Sequence, residues 1–260
     1  MADINLLAID VGHARVKLGA FEAGELVESW RPDVSEPANV EGAIEQARER
    51  LEGHDAEVVI AASNASFSQE VEHLVKAAGW GGSQRVGLDV DLPIAVATDE
   101  PDRTGVDRVL NVAAAYEQLK KACVVVDAGT AITVDFCDDQ GTFLGGCIAP
   151  GASLMAKALH QVAPQLPEVR PSFSADSYGK STETAVNAGI VQALRGLVRE
   201  SVERHAMTQA VWPEVIATGG EAFDLFGGDE PFELIHAVSR DLTLYGIALA
   251  YANHHIKHKT

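Results

Sequence analysis

Positive charge is scarce in this chain. Only 20 Lys and Arg stand against 38 Asp and Glu in 260 residues, a formal net charge of -18. A field of that sign repels phosphate backbones, so no nucleic-acid partner is expected. Cysteine is rarer still: Cys123, Cys137 and Cys147 are odd in number and lack CxxC spacing, which points to reduced structural thiols rather than a disulfide framework or zinc knuckle. No apolar run approaches the roughly 18 residues needed to span a bilayer, and the opening MADINLLAID lacks the pattern of a signal peptide. A cytoplasmic protein without membrane association is the expectation. Several phosphate and hydrolase devices are missing too. There is no GxGxxG after a strand, no GxSxG elbow and no HExxH helix. The GKST at 179–182 has Ser174 where a P-loop needs its first glycine, and no strand precedes it.

What is present is ordinary globular material, 47% hydrophobic and 22% charged, arranged as alternating strands and helices. NLLAIDVG reads as a strand, VKLGAFEAGELVESW as a hairpin around EAGE, NVEGAIEQARERLE as a helix and AEVVIAAS as a buried strand. A second series follows: a helix in VDRVLNVAAAYEQLKKA, then strands CVVVDAG, AITVDFCD and TFLGGCIAP. Helices are expected near 151–162, 182–206 and 231–256, with the strand EVIATGG between the last two. This order means an α/β architecture.

One internal echo stands out. LLAIDVG (6–12) and CVVVDAG (123–129) are both an apolar strand followed by Asp, one residue and Gly, which suggests two related lobes. A strand that delivers Asp to its end and then turns through Gly can bring backbone amides close to phosphate oxygens while the carboxylate holds a cation. The plainer alternative is that Asp10 and Asp127 cap turns, since Asp-x-Gly is common turn chemistry.

A further constellation lies in PDRTGVDRVLNVAAAY (101–116), where Asp107 and Arg108 fall in the first turn of a helix after Gly105. A carboxylate there can take a proton from a substrate hydroxyl and a guanidinium can neutralise an anion. Helix-end electrostatics alone, worth about 0.3 to 1 kcal/mol, would account for the Asp equally well.

Taken in order, LAIDVG, PDRTGVDR, VVVDAGTAITVD, GGCIAPG, GKST and ATGG resemble the type III pantothenate kinases of the acetate and sugar kinase, Hsp70 and actin superfamily. The resemblance runs from residue 6 to about 250 and is most specific in DAGTAITVD and GGCIAPG. It implies two ribonuclease H-like lobes with an ATP cleft between them, here 1–115 and 116–260. It further implies a homodimer that phosphorylates pantothenate with ATP, Mg2+ and a monovalent cation, K+ or NH4+.

Position by position, Asp10, Val11, Gly12, His13, Ala14, Arg15, Val16 and Lys17 match the first phosphate loop, with Asp10 at the magnesium. Gly105, Val106, Asp107 and Arg108 match the substrate segment, in which Asp107 is the general base. Asp127 matches the ligand of the monovalent cation and Thr130 an ATP contact. Thr182 matches a substrate threonine, and Gly219 and Gly220 the adenosine segment. The chain departs from the family pattern at His13 and Ala14, where relatives carry Asn and then Thr or Ser, and at Thr98, where many carry Tyr. Loss of the hydroxyl at Ala14 removes a phosphate donor worth about 1 to 3 kcal/mol unless His13 replaces it. Two other readings stay open: a non-catalytic kinase-fold regulator of transcription, and a different small-molecule kinase of the superfamily.

Overall fold

A computed structural model describes residues 4–173, 178–227 and 231–258. The chain begins with β1 (Leu6–Val11), β2 (Val16–Glu22), β3 (Glu25–Trp30), α1 (Pro37–Arg50), β4 (Glu57–Ala62), α2 (Ala65–Ala77) and the short β5 (Gln84–Arg85). A 3-10 turn at Pro101–Arg103 leads into α3 (Val106–Leu119), followed by β6 (Cys123–Ala128), β7 (Ala131–Cys137), β8 (Phe143–Pro150) and α4 (Ala152–Val162). The last elements are α5 (Thr182–Gln209), β9 (Glu214–Thr218), α6 (Ala222–Phe226), β10 (Ala237–Val238) and α7 (Leu242–His258). They make two compact units, one of Met1–Ala95, Asp99–Ala114 and Asp241–Thr260, the other of Val96–Thr98 and Ala115–Arg240.

The sheet of the first unit has strand order β3-β2-β1-β4-β5. Strand β1 pairs antiparallel with β2 and parallel with β4. The EAGE hairpin expected from sequence joins β2 to β3, with Ala23 and Gly24 both at positive φ (49° and 83°), the geometry that matches the twist of a two-residue turn. Alternation along β1 sorts its side chains. Leu7, Ile9 and Val11 pack with Val40, Ile44 and Ala47 of α1 and Val71 and Val75 of α2. Leu6 and Ala8 pack on the opposite face with Leu110 of α3 and Leu244, Ile247 and Ala248 of α7. By the period of two, Asp10 shares that second face.

Helix α7 is apolar nearly all round and buried from Leu242 to Thr243 and Leu244, then from Gly246 to Ala252, which is the pattern of a core helix rather than a surface one. Gly246 allows its closest contact: a Cβ there would stand 2.3 Å from the carbonyl oxygen of Leu110. The expected helix over 231–256 therefore starts later. Residues 231–241 instead carry β10, parallel to β9, and send Phe232 and Leu234 into the core of the second unit. Their apolar spacing reflects a loop plugging a core, a pattern that mimics helical periodicity over a short window.

The second sheet, β10-β9-β6-β7-β8, repeats the first in reversed listing: the central β6 is antiparallel to β7 and parallel to β9. Val124, Val126 and Ala128 of β6, Val134 of β7 and Ala217 of β9 pack with Ala156 of α4 and Leu194 and Val198 of α5. The alternate residues, Asp127 among them, face the other way. No described helix is long and apolar enough to cross a membrane.

Candidate active site

The site residues fall into local groups, each built by its own strand or helix end. In the first unit, Asp10 lies opposite Lys17 in the antiparallel register of β1 and β2. The Lys17 Nζ stands 3.0 Å from Asp10 Oδ2, and the same ammonium donates to Thr243 Oγ1 of α7 at 3.3 Å. Asp10 is only 4% exposed, so its charge is held where desolvation would penalise it without the ammonium. Thr243 carries no motif, and sequence reasoning missed it. Its place beside Lys17 follows only from α7 packing on β1 and β2.

The loop that follows β1 is tight. Gly12 N donates to Arg15 O at 3.1 Å, and a Cβ on Gly12 would lie 3.0 Å from that same oxygen. The exposed tip of His13, Ala14 and Arg15 is stitched to the segment after β3, since Val34 N donates to Ala14 O and Arg15 bridges to Asp33. Hydrogen bonds from the Ser35 hydroxyl and amide hold the Asp33 carboxyl below the usual carboxylate range, with Arg15 adding a smaller push the same way. On the other side, Val11 O accepts from Ser63 N and Asn64 N, both at 3.2 Å, and Asn64 caps α2 by accepting from Phe67 N. The loop is thus braced by the start of a helix rather than left as a free turn.

Gly105 to Arg108 form the second group. Gly105 O accepts from Val109 N at the head of α3, and Asp107 Oδ1 accepts from Arg108 N at 2.9 Å. A Cβ at position 105 would sit 2.8 Å from Asp107 Oδ1, so glycine there leaves the carboxylate its place. Val106, Asp107 and Arg108 are all half-buried.

In the second unit the sheet assembles a third group at the end of β6. Asp127 is half-buried and lies in register with Thr133 of β7 and Thr218 of β9. Thr218 is fully buried, and its Oγ1 has no hydrogen-bond partner among the described residues. The turn after β6 closes with Gly129 N donating to Ala131 O, leaving Thr130 exposed at its tip. Gly219, at φ 98°, lies against this strand end: a Cβ there would be 2.3 Å from Ala128 O and 2.5 Å from Asp127 Oδ1. Gly220 follows, exposed. So the segment of Asp127 and Thr130 and that of Gly219 and Gly220, far apart in sequence, are brought together by the parallel pairing of β6 and β9.

Thr182 stands apart from that group as the first residue of α5. Ser181 and Thr184 form a reciprocal capping box around it, and Thr182 itself is exposed. Ser174 and Ser177, which flank the GKST stretch, lie outside the described residues. Asp138 and Asp139 of DDQG form a hairpin turn in which Asp138 Oδ1 accepts from Gln140 N and Thr142 N. Among the described residues no cluster of at least three His, Cys, Asp or Glu side chains is arranged to hold a metal.

The type III pantothenate kinase family model matches residues 6–204, a span that contains the first three of these groups apart from Gly219 and Gly220, together with Thr182. The chain belongs to this family. Type III pantothenate kinases similar to it include that of Geobacter sulfurreducens, 32% identical over 254 residues that cover 95% of this chain and 98% of the relative. That of Myxococcus xanthus is 31% identical over 256 residues, 96% and 99% of the two chains. Among solved structures, a protein assigned to the Baf family of transcriptional activators from Campylobacter jejuni superposes with TM-score 0.61 at 19% identity, covering 95% of this chain and 98% of its own. The activator of 2-hydroxyisocaproyl-CoA dehydratase from Clostridium difficile, with bound ADPNP, gives 0.55 at 13% identity over 98% and 97%. At those identities the structural likenesses speak for the fold.

Proposed function

We propose that this type III pantothenate kinase family member transfers the γ-phosphoryl of ATP to the primary hydroxyl of pantothenate, giving 4'-phosphopantothenate, the first step of coenzyme A biosynthesis. The observation that carries this reading is the family match over 6–204, which takes in both Asp-x-Gly strands and the Gly105–Arg108 segment.

Phosphoryl transfer of this kind needs positioning and charge neutralisation more than covalent chemistry. Asp107 takes the proton of the attacking hydroxyl, and Arg108 neutralises the pantothenate carboxylate or the transferring group. Support for these roles is the half-burial of the pair and the glycine that leaves room for the Asp107 carboxylate. The loop from Gly12 to Lys17 receives the phosphates, with Lys17 as its cation, Val11 and Val16 anchoring it in the core, and His13 as a donor where Ala14 lacks one. Thr130, Gly219 and Gly220 contact the nucleotide, and Thr182 contacts pantothenate.

The donor chemistry fits the two ions. Asp10 offers the hard carboxylate oxygen that magnesium prefers, and magnesium would there neutralise charge on the phosphates. For K+ or NH4+, Asp127 and the unpartnered Thr218 hydroxyl supply oxygens at paired register positions. The reading also includes a cytoplasmic location and a homodimer, the second supported by the exposed apolar side chains Leu154, Leu159 and Val162 along α4.

An ADP-release assay tests this directly, with pantothenate against a panel of sugars and with KCl against NaCl. Turnover with pantothenate alone, raised by potassium, is expected. Preference for a sugar would sink the acceptor assignment, and nucleotide binding without any turnover would favour the non-catalytic regulator.

A further inference from the structure

The residue after the Gly219–Gly220 pair is Glu221, and its surroundings give it a part that the motifs do not. Its backbone N–H donates to Ala128 O at 2.9 Å, fastening it to the end of β6 one residue beyond Asp127. Its carboxylate accepts from the first amides of α4, Oε2 from Ala152 N at 3.1 Å and Oε1 from Ser153 N at 3.2 Å. Helix α4 has no side-chain cap of its own, because its N-cap is Gly151. Glu221 therefore supplies from a distant segment the acceptor that the helix start lacks, with its negative charge at the positive end of the helix dipole.

The helix start so held is joined to the other loop of interest. Gly151 N donates to Thr130 O at 2.9 Å, and a Cβ on Gly151 would lie 2.0 Å from Gly129 O, so the turn after β6 and the head of α4 are packed backbone to backbone. One carboxylate thus links the Gly219–Gly220 turn, from which it springs, to the Gly129–Thr130 turn through the head of α4. These are the two segments read above as touching the nucleotide. Bound nucleotide needs both at fixed separation, and glycine-rich turns have little rigidity of their own.

We infer that Glu221 is a positioning residue for nucleotide, tying the Gly219–Gly220 turn to the Thr130 turn through the N-terminus of α4. The inference rests on the assignment of those turns to ATP. It does not depend on pantothenate being the acceptor.

The test compares the full-length wild type with Glu221→Ala and Glu221→Gln by calorimetric titration with a non-hydrolysable ATP analogue, alongside steady-state KM values for ATP and for pantothenate. Glu221→Ala should weaken analogue binding and raise KM for ATP by about tenfold or more, the size of effect that misplaced binding groups produce, with KM for pantothenate unchanged. Glu221→Gln keeps the shape and one acceptor oxygen, so it should fall between wild type and Glu221→Ala. A merely structural cap would give a different result: a lower thermal midpoint in both variants with analogue affinity and KM for ATP unmoved, which overturns the inference. Should Glu221→Ala fail to fold, Glu221→Gln decides alone, and wild-type affinity in it overturns the inference too. Wild type that binds the analogue but does not turn over pantothenate sinks the acceptor assignment and leaves the Glu221 comparison standing on the titration. Wild type that binds no analogue overturns both.

Discussion

The two sheets share one plan, strand order 3-2-1-4-5 in each, with the central strand delivering an Asp two positions before a Gly, yet their strand ends are finished differently. At the end of β1 the carboxylate is buried and paired with Lys17 across the hairpin, and the turn glycine is crowded, 3.0 Å from the nearest oxygen to a would-be Cβ. At the end of β6 the carboxylate is half-buried, no lysine stands opposite it, and the turn glycine has 3.8 Å. Crowding there has moved to Gly219, which comes from the neighbouring parallel strand. A duplicated scaffold thus fixes where acidic groups emerge, while the residue opposite each one determines its charge environment. A paired lysine suits a loop that meets phosphate anions, and a half-buried carboxylate in register with two threonines suits a cation.

Four measurements would break or sharpen that contrast. The largest effect is expected at Asp107, which belongs to neither strand end: Asp107→Asn should lower kcat by about 10^2 to 10^4 while the thermal midpoint holds, as for removal of a general base. Retained turnover would leave the chemistry to the strand-end groups. Next is Asp10→Ala, which leaves the Lys17 ammonium without its carboxylate; chemical denaturation should show a loss of about 3 kcal/mol, the low end for a broken buried pair because Lys17 keeps some exposure. Asp127 is half-buried where Asp10 is 4% exposed, so Asp127→Ala should cost less, and equal losses would erase the distinction between the two ends. Gly219→Ala should cost about 2 kcal/mol, from its positive φ and the contact with Ala128 O, whereas Gly129→Ala should be nearly silent.

The smallest effect is a pH dependence confined to the second unit. His205 of α5 is buried against the Phe136 ring, 4.7 Å between centroids, and burial lowers its pKa below 6.5. The unfolded chain then binds the proton more readily than the folded one, so stability should fall as pH drops below about 6.5, down to the folded pKa. His205→Phe should flatten that part of the profile, read as denaturation midpoint against pH. A slope unchanged by the substitution would assign it elsewhere.

The strands around both Asp residues were legible because an apolar run ending in Asp-x-Gly is a local signal, and β1, β2, β3, β6, β7, β8 and β9 lie where that signal and the alternation put them. What could not be read locally is what the sheets bring from afar. Thr243 and Glu221 sit in stretches with ordinary local patterns and acquire partners only through α7 packing on β1 and through β9 lying beside β6. The late start of α7 was hidden for a related reason. Phe232 and Leu234 satisfy a helical spacing because both point into one core, and spacing cannot tell a buried loop from a helix face.

The last helix of the chain completes the sheet of the first unit, since Leu244, Ile247 and Ala248 lie against Leu6 and Ala8. During synthesis, β1 and the strands beside it must therefore wait for α7 before that face is closed. The second unit, Val96–Thr98 with Ala115–Arg240, has all of its residues in hand before α7 begins. Its folding can run ahead, so a nascent chain that has left the exit tunnel as far as Arg240, with α7 still inside, should hold a complete second unit and a first one still open on the face that α7 covers.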